Sequence, residues 1–206
     1  MKFLAATVFV LLLNFTSSAQ QNIPKGYQAA PALSITGDFD GDGKQDTLSQ
    51  FIADSLGNRL DYLVEINNWD TDVVNWDREN YNTAFSINGK PTDIAHYIAV
   101  GLYCLINLGN INKTKGDEIA IVPLLLDYSR LNTCHIYSYC NGKWAEVYSF
   151  AVNESSFDYV TNIQPVFNSI PDALEKHKGN WMYIDYYEWF EDSNIKMKPL
   201  KVANCN

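Results

Sequence analysis

The sequence is poor in the groups from which catalytic and nucleic-acid sites are usually built. It has three histidines, His96, His135 and His177, and they lack the spacing of a metal or catalytic set. It has no Gly-x-Ser-x-Gly and no glycine-rich phosphate loop, so the sequence signals of a serine hydrolase and of a nucleotide site are missing. No Cys-x-x-Cys occurs, which argues against a redox-active pair or a zinc knuckle. Nor is there a cluster of basic residues: 15 Lys and Arg face 24 Asp and Glu, for a net charge of −9. A chain of that charge is not expected to bind nucleic acid or anionic lipid electrostatically. It suits cations or a basic protein partner.

Long apolar runs are equally scarce. One opens the chain, where Met1-Lys2 precedes an apolar stretch from Phe3 to Leu13 and a small-residue exit at Ser17-Ser18-Ala19. That stretch is shorter than the ~20 residues a membrane span needs. With its basic start it reads as a signal peptide, residues 1–19, cut near Ala19. The chain is therefore expected to be secreted or periplasmic, with no membrane insertion. Residues 20–32 read as an extended leader, and 33–206 as a single β-rich domain.

Four cysteines, Cys104, Cys134, Cys140 and Cys205, follow the signal. An even count in an oxidising compartment suggests disulfide bonds. Cys134 and Cys140 are six apart in one strand-like run, and six residues of strand span about 20 Å, too far for a bridge. If both are bridged, each must pair elsewhere, with Cys104 and Cys205 as the remaining candidates.

What the sequence has in quantity is short runs rich in Val, Ile, Tyr, Phe and Thr, divided by Asn, Asp and Gly. Strands are expected over 46–53, 59–67, 83–87, 97–106, 118–126, 134–140 and 143–152. Asn141-Gly142 and Asn88-Gly89 are the pairs that type I′ hairpin turns need. One helix is expected after Ser169, with Pro171 in its first turn and Gly179 ending it. Residues 181–190 read as an aromatic strand and 195–202 as a final strand. The fold class expected is all-β, with antiparallel blade-like hairpins and one short helix.

The chemistry is concentrated in Gly37-Asp38-Phe39-Asp40-Gly41-Asp42-Gly43-Lys44-Gln45-Asp46. Asp38, Asp40, Asp42 and Asp46 fall at loop positions 1, 3, 5 and 9, and Lys44 at position 7 offers its backbone carbonyl. Ca²⁺ seeks six to eight oxygens at about 2.3–2.6 Å, and alternating side chains of a tight loop can converge on one point. Position 12 is Ser49, so the bidentate glutamate of an EF-hand is missing, and the flanks read as strands.

Over residues 36–48 this loop resembles the calcium loop of FG-GAP and related VCBS repeats, which form blades of integrin-type β-propellers. A degenerate copy spans 109–119, with Asn110, Asn112, Thr114 and Glu118 at positions 1, 3, 5 and 9. It carries fewer carboxylates, so it is expected to be a weak second site or a loop kept for its turn geometry. The resemblance implies Ca²⁺ as the bound cofactor. The chain is too short for a seven-bladed propeller, and a small or partial propeller, or a sandwich of blade-like hairpins, is expected.

Two other groups stand out. Asp185, Glu188, Glu191 and Asp192 cluster late in the chain, where they suit a solvated turn better than a glycosidase pair. Trp69 and Trp76 lie in a polar stretch and are candidate ligand-binding aromatics, ahead of Trp181, Tyr183, Tyr186, Tyr187 and Trp189. The function expected is an exported, non-enzymatic Ca²⁺-binding β-domain that recognises a protein or a cell-surface glycan. The alternative is a periplasmic inhibitor or immunity protein against a lysozyme-like cell-wall hydrolase. A third reading is a hydrolase acting through the acidic residues at 185–192.

Overall fold

The computed structural model describes residues 23–65, 81–94, 97, 99–125, 129–157 and 165–204. The expected export signal, Trp69, Trp76, His96 and Cys205 lie outside them.

A short ribbon comes first. Strand β1 (Tyr27–Ala29), inside the expected leader, pairs with β4 (Tyr62–Val64). The remaining strands form three antiparallel sheets. The first runs β2 (Leu33–Gly37), β3 (Asp46–Ala53), β5 (Asn82–Ile87) and β6 (Lys90–Pro91). The second is a meander of β7 (Ala99–Gly109), β8 (Glu118–Leu125), β9 (Leu131–Cys140) and β10 (Lys143–Asn153). The third is β11 (Leu174–His177), β12 (Asn180–Tyr183) and β13 (Lys198–Pro199).

The side-chain patterns explain how these sheets stack. Strands β2 and β3 alternate between more and less buried residues, as a sheet with one wet face should. Strands β7 and β8 are apolar almost throughout, which suits a sheet covered on both faces. Their alternate residues belong to different cores. Leu105, Ile119, Ile121 and Tyr137 pack with Leu48 and Phe85 of the first sheet. Cys104, Ile106, Ala120, Val122, Cys134 and Ile136 pack with Leu174, Trp181 and Tyr183 of the third. The second sheet is thus the middle layer of an open three-sheet stack. The all-β expectation is met.

Two-residue turns close the hairpins. Asn88-Gly89 and Asn141-Gly142 both have φ between 50° and 86°, as type I′ turns require. Lys178-Gly179 makes the same turn, with φ of 50° and 84°, and joins β11 to β12. This corrects the helix expected before Gly179. A glycine after basic residues serves a helix end and a I′ hairpin equally well. Here the burial of Leu174, Trp181 and Tyr183 in the core selects the hairpin.

A helix appears later, as α1 (Tyr186–Glu191), inside the run expected to be an aromatic strand. Asp185 ends the strand conformation with φ −82° and ψ 128°, and its carboxylate accepts from the Tyr187 N–H. The expected final strand over 195–202 is reduced to β13.

The expectation of bridges at Cys104 and Cys134 is also corrected. Both are free and buried, whereas Cys140 is disulfide-bonded. Cys104 lies opposite Val122, and continuing the β8–β9 register one residue past Ile121–His135 sets Cys134 on the other side of Val122. Two strand spacings, about 10 Å, separate the two cysteines, beyond disulfide reach. Burial pushes both thiols well above their ordinary pKa.

Candidate metal centre

The first loop joins β2 to β3, closed by the pair Gly37–Asp46. Inside it the carboxylates fold the chain back on itself. Asp40 Oδ1 accepts from the Asp42 N–H at 3.0 Å, and Asp42 Oδ1 accepts from the Lys44 N–H at 2.8 Å. Asp38 Oδ2 accepts from the Gly43 N–H at 3.1 Å. These local bonds are why Asp residues at alternating positions form a turn rather than continue a strand. They bring one ligand oxygen from each of Asp38, Asp40 and Asp42 to within 4.8 Å of one another.

One oxygen in this group is unexplained by the protein alone. Asp38 Oδ1 is buried and has no hydrogen-bond partner among the described residues. A buried carboxylate oxygen without a donor is costly, and a cation removes that cost. The donor set is all oxygen and all carboxylate, which fits a hard ion such as Ca²⁺. Asp38, Asp40 and Asp42 would hold it. The Lys44 ammonium pairs with Asp42 Oδ2 at 2.6 Å. Its hydrogen bond holds the Asp42 carboxyl below the usual range, and Asp42 in turn raises the Lys44 ammonium.

Asp46 does not join the trio. It is buried, with Oδ2 accepting from the Phe39 N–H at 3.2 Å and Oδ1 from Asn88 Nδ2 at 2.7 Å. Both its oxygens anchor the loop to the body of the first sheet.

The second loop repeats this plan 72 residues later. It joins β7 to β8, closed by Gly109–Glu118. Thr114 N–H donates to Asn112 Oδ1 at 2.8 Å, the bond that Asp42 makes to Asp40 in the first loop. Glu118 stands where Asp46 stands. Its Oε2 accepts from the Ile111 N–H at 2.7 Å, and its Oε1 from the Ser138 hydroxyl on the next strand at 2.8 Å. Even the position-4 backbone matches, with φ of 71° at Gly41 and 58° at Lys113. Asn110 Nδ2 donates to the Thr114 carbonyl at 2.7 Å, so that amide is engaged in the turn as well. Burial pushes the Glu118 pKa up, against the hydrogen bonds from Ser138, Asn112 and Ile111. The two hairpins share this hydrogen-bond plan, and in the second the side chains hold the turn.

The loops also touch, which the sequence did not reveal. Asp117, one place before the ligand-pattern position Glu118, bonds to Asp38 through both backbone and side chain. A Cβ on Gly116 would lie 2.3 Å from the Phe39 carbonyl oxygen, and one on Gly41 would lie 2.7 Å from the Gly116 nitrogen. The signal was Gly116 itself, out of register with the glycine at position 6 of the first loop.

The other candidate side chains have local roles. Asp185 caps α1 and also accepts from the Ala151 N–H, Glu188 pairs with Lys198 at 2.6 Å, and Asp192 Oδ1 accepts from the Asn194 N–H. Glu191 is the last residue of α1 and is exposed. His135 meets Glu146, and His177 meets Glu175. Trp181 is buried, its indole N–H donating to the Leu108 carbonyl at 2.7 Å, and Tyr183 bonds Tyr148 through the two hydroxyls. No family model, curated protein or solved structure matches this chain.

Proposed function

We propose that the chain is an exported, non-enzymatic β-domain in which Asp38, Asp40 and Asp42 hold Ca²⁺ as a structural staple. The observation that carries this reading is the buried, donorless Asp38 oxygen inside a cluster of three carboxylates. The resemblance of the loop to FG-GAP and VCBS repeats supports it. An ion here ties the first loop, and through Asp38 the second, into one rigid end of the stack. Affinity in the range of extracellular Ca²⁺ modules, about 10⁻⁴–10⁻³ M, suits such a staple. The engagement of Asp185, Glu188 and Asp192 in local bonds supports a recognition role rather than catalysis, with a protein or a cell-surface glycan as the partner.

Thermal unfolding of the full chain in EDTA and in Ca²⁺, beside the Asp38→Ala/Asp42→Ala variant, tests the metal reading. The midpoint of the unmodified chain should rise in Ca²⁺ and that of the variant should not. Equal responses from the two proteins would sink it.

A further inference from the structure

Helix α1 has no buried residue, yet carries Tyr186, Tyr187, Trp189 and Phe190 in a single run. Trp189 is 41% exposed and Phe190 74%. Packing does not account for so many aromatic rings on a helix without a buried face. Two of them are organised. Tyr186 and Trp189, one turn apart, stack with centroids 5.5 Å apart and planes 27° from parallel. Together they line one side of an open cleft of about 510 Å³.

The rest of the cleft is lined by apolar residues, among them Ile184, Ile195 and Met197, and by a polar set. Asn153 ends β10, Ser155 and Ser156 lie on the 3-10 turn that follows, and Asp172 precedes β11. The hydroxyls of Ser155 and Ser156 and the carboxylate of Asp172 make no hydrogen bond among the described residues. Among the described residues no lysine or arginine lines the cleft, so an anionic ligand finds no counter-charge from them. A cationic ligand would want acceptors alone. The lining instead mixes hydroxyls that donate and accept with a carboxylate. The second carboxylate, Glu175, is already engaged by the Asp172 N–H at 3.2 Å and by His177 at 3.0 Å.

We propose that this cleft binds a neutral saccharide, with Trp189, backed by Tyr186, stacking on the apolar face of a pyranose ring. Ser155, Ser156, Asp172 and the Nδ2 of Asn153, whose Oδ1 already accepts from the Ser155 N–H, take its hydroxyls, which, like those of serine, both donate and accept. This names the ligand class of the recognition role proposed above and rests on that reading. The cleft is built on β10, α1 and the β11 hairpin, and the metal loop on β2 and β3, so each can be tested without the other.

The test is titration of the full chain with cellohexaose and with chitohexaose at millimolar concentration, followed by tryptophan fluorescence and by calorimetry. A lysine tripeptide is the competing probe. Saturable binding of a hexasaccharide is expected, weakened about tenfold in Trp189→Ala, which removes the stacking ring, and largely kept in Trp189→Phe. Trp189 is exposed, and an unchanged unfolding midpoint shows that the variant folds. The assignment is overturned if neither saccharide binds, if Trp189→Ala binds as well as the unmodified chain, or if the tripeptide is the ligand that Trp189→Ala loses. A Ca²⁺-dependent midpoint without saccharide binding leaves the metal reading standing and removes this one. Saccharide binding without a Ca²⁺ response does the reverse.

Discussion

Asp117 and Asp38 clasp one another across the two loops. The Asp117 N–H donates to the Asp38 carbonyl at 2.8 Å, and the Asp117 carboxylate accepts from the Asp38 N–H at 3.2 Å. The same carboxylate oxygen accepts from Asn107 Nδ2 at 3.0 Å, and that amide also donates to the Thr36 carbonyl at 2.9 Å. A residue of the second loop thus fixes the backbone of the first residue of the carboxylate cluster. Asp117→Ala should cost about 1–3 kcal/mol, the penalty for leaving a part-buried N–H without its acceptor. It should also weaken the Ca²⁺ response, because Asp38 loses its positioning. Urea unfolding with and without Ca²⁺ measures both. An Asp117→Ala chain with unaltered stability and Ca²⁺ response would show that the clasp positions nothing.

Asp38→Asn separates the metal from the fold. The amide keeps an acceptor for the Gly43 N–H and sets a donor where the bare oxygen was, within reach of Asp40 or Asp42. In EDTA the variant should be as stable as the unmodified chain or more so, since one of three crowded carboxylates is gone. In Ca²⁺ at about ten times Kd the unmodified chain should gain about 1.4 kcal/mol, or about 3–6 °C, and the variant should gain little. The two stability orders cross. If Asp38→Asn is the weaker protein in EDTA by a clear margin, the buried oxygen was not a liability awaiting a cation.

Legibility in the sequence followed the strength of the local signal. Strand β3 coincides with its expected bounds because alternating burial and an Asp/Gly turn agree there. The convergence of Asp38, Asp40 and Asp42 was readable because each carboxylate folds its own neighbourhood. The role of Asp46 was not. Whether a position-9 carboxylate faces the cluster or the body of the sheet depends on Asn88, which sits 42 residues away. Asp117 was hidden for a similar reason, since its partner lies 79 residues back in the other loop. The hairpin at Lys178-Gly179 and the helix at Tyr186 were exchanged because core burial, not local propensity, decides between them.

Gly116 tests how tightly the loops are pressed together. Its φ is +85°, and an added Cβ would meet the Phe39 carbonyl oxygen at 2.3 Å. Gly142, in the β9–β10 turn, has nearly the same φ of +86° but nothing within 4 Å of such a Cβ. Gly142→Ala should therefore cost about 1–2 kcal/mol, the left-handed penalty alone. Gly116→Ala carries that penalty and must also move backbone, so it should cost clearly more, above about 2 kcal/mol. Chemical denaturation of the two variants side by side gives the difference. Equal losses would mean that the loop contact yields without cost.

Glu118 gives the second loop a pH signature. It is fully buried, and desolvation lifts its pKa above the ordinary 4.5 despite donors from Ser138, Asn112 and Ile111. A carboxyl whose folded pKa is raised binds its proton more tightly in the native state than in the unfolded one. Its stabilising contribution is complete below pH 4.5 and is lost as pH rises through the folded value. Glu118→Gln cannot titrate. It keeps an acceptor for the Ile111 and Asn112 N–H groups and can offer its amide to the Ser138 oxygen. The stability of the unmodified chain relative to Glu118→Gln should therefore fall as pH is raised above 4.5. Urea midpoints of both proteins, taken in EDTA so that the first loop does not contribute a metal response, measure this difference. A relative stability that climbs with pH would mean that the hydrogen bonds outweigh burial, and that Glu118 anchors its loop as an ion.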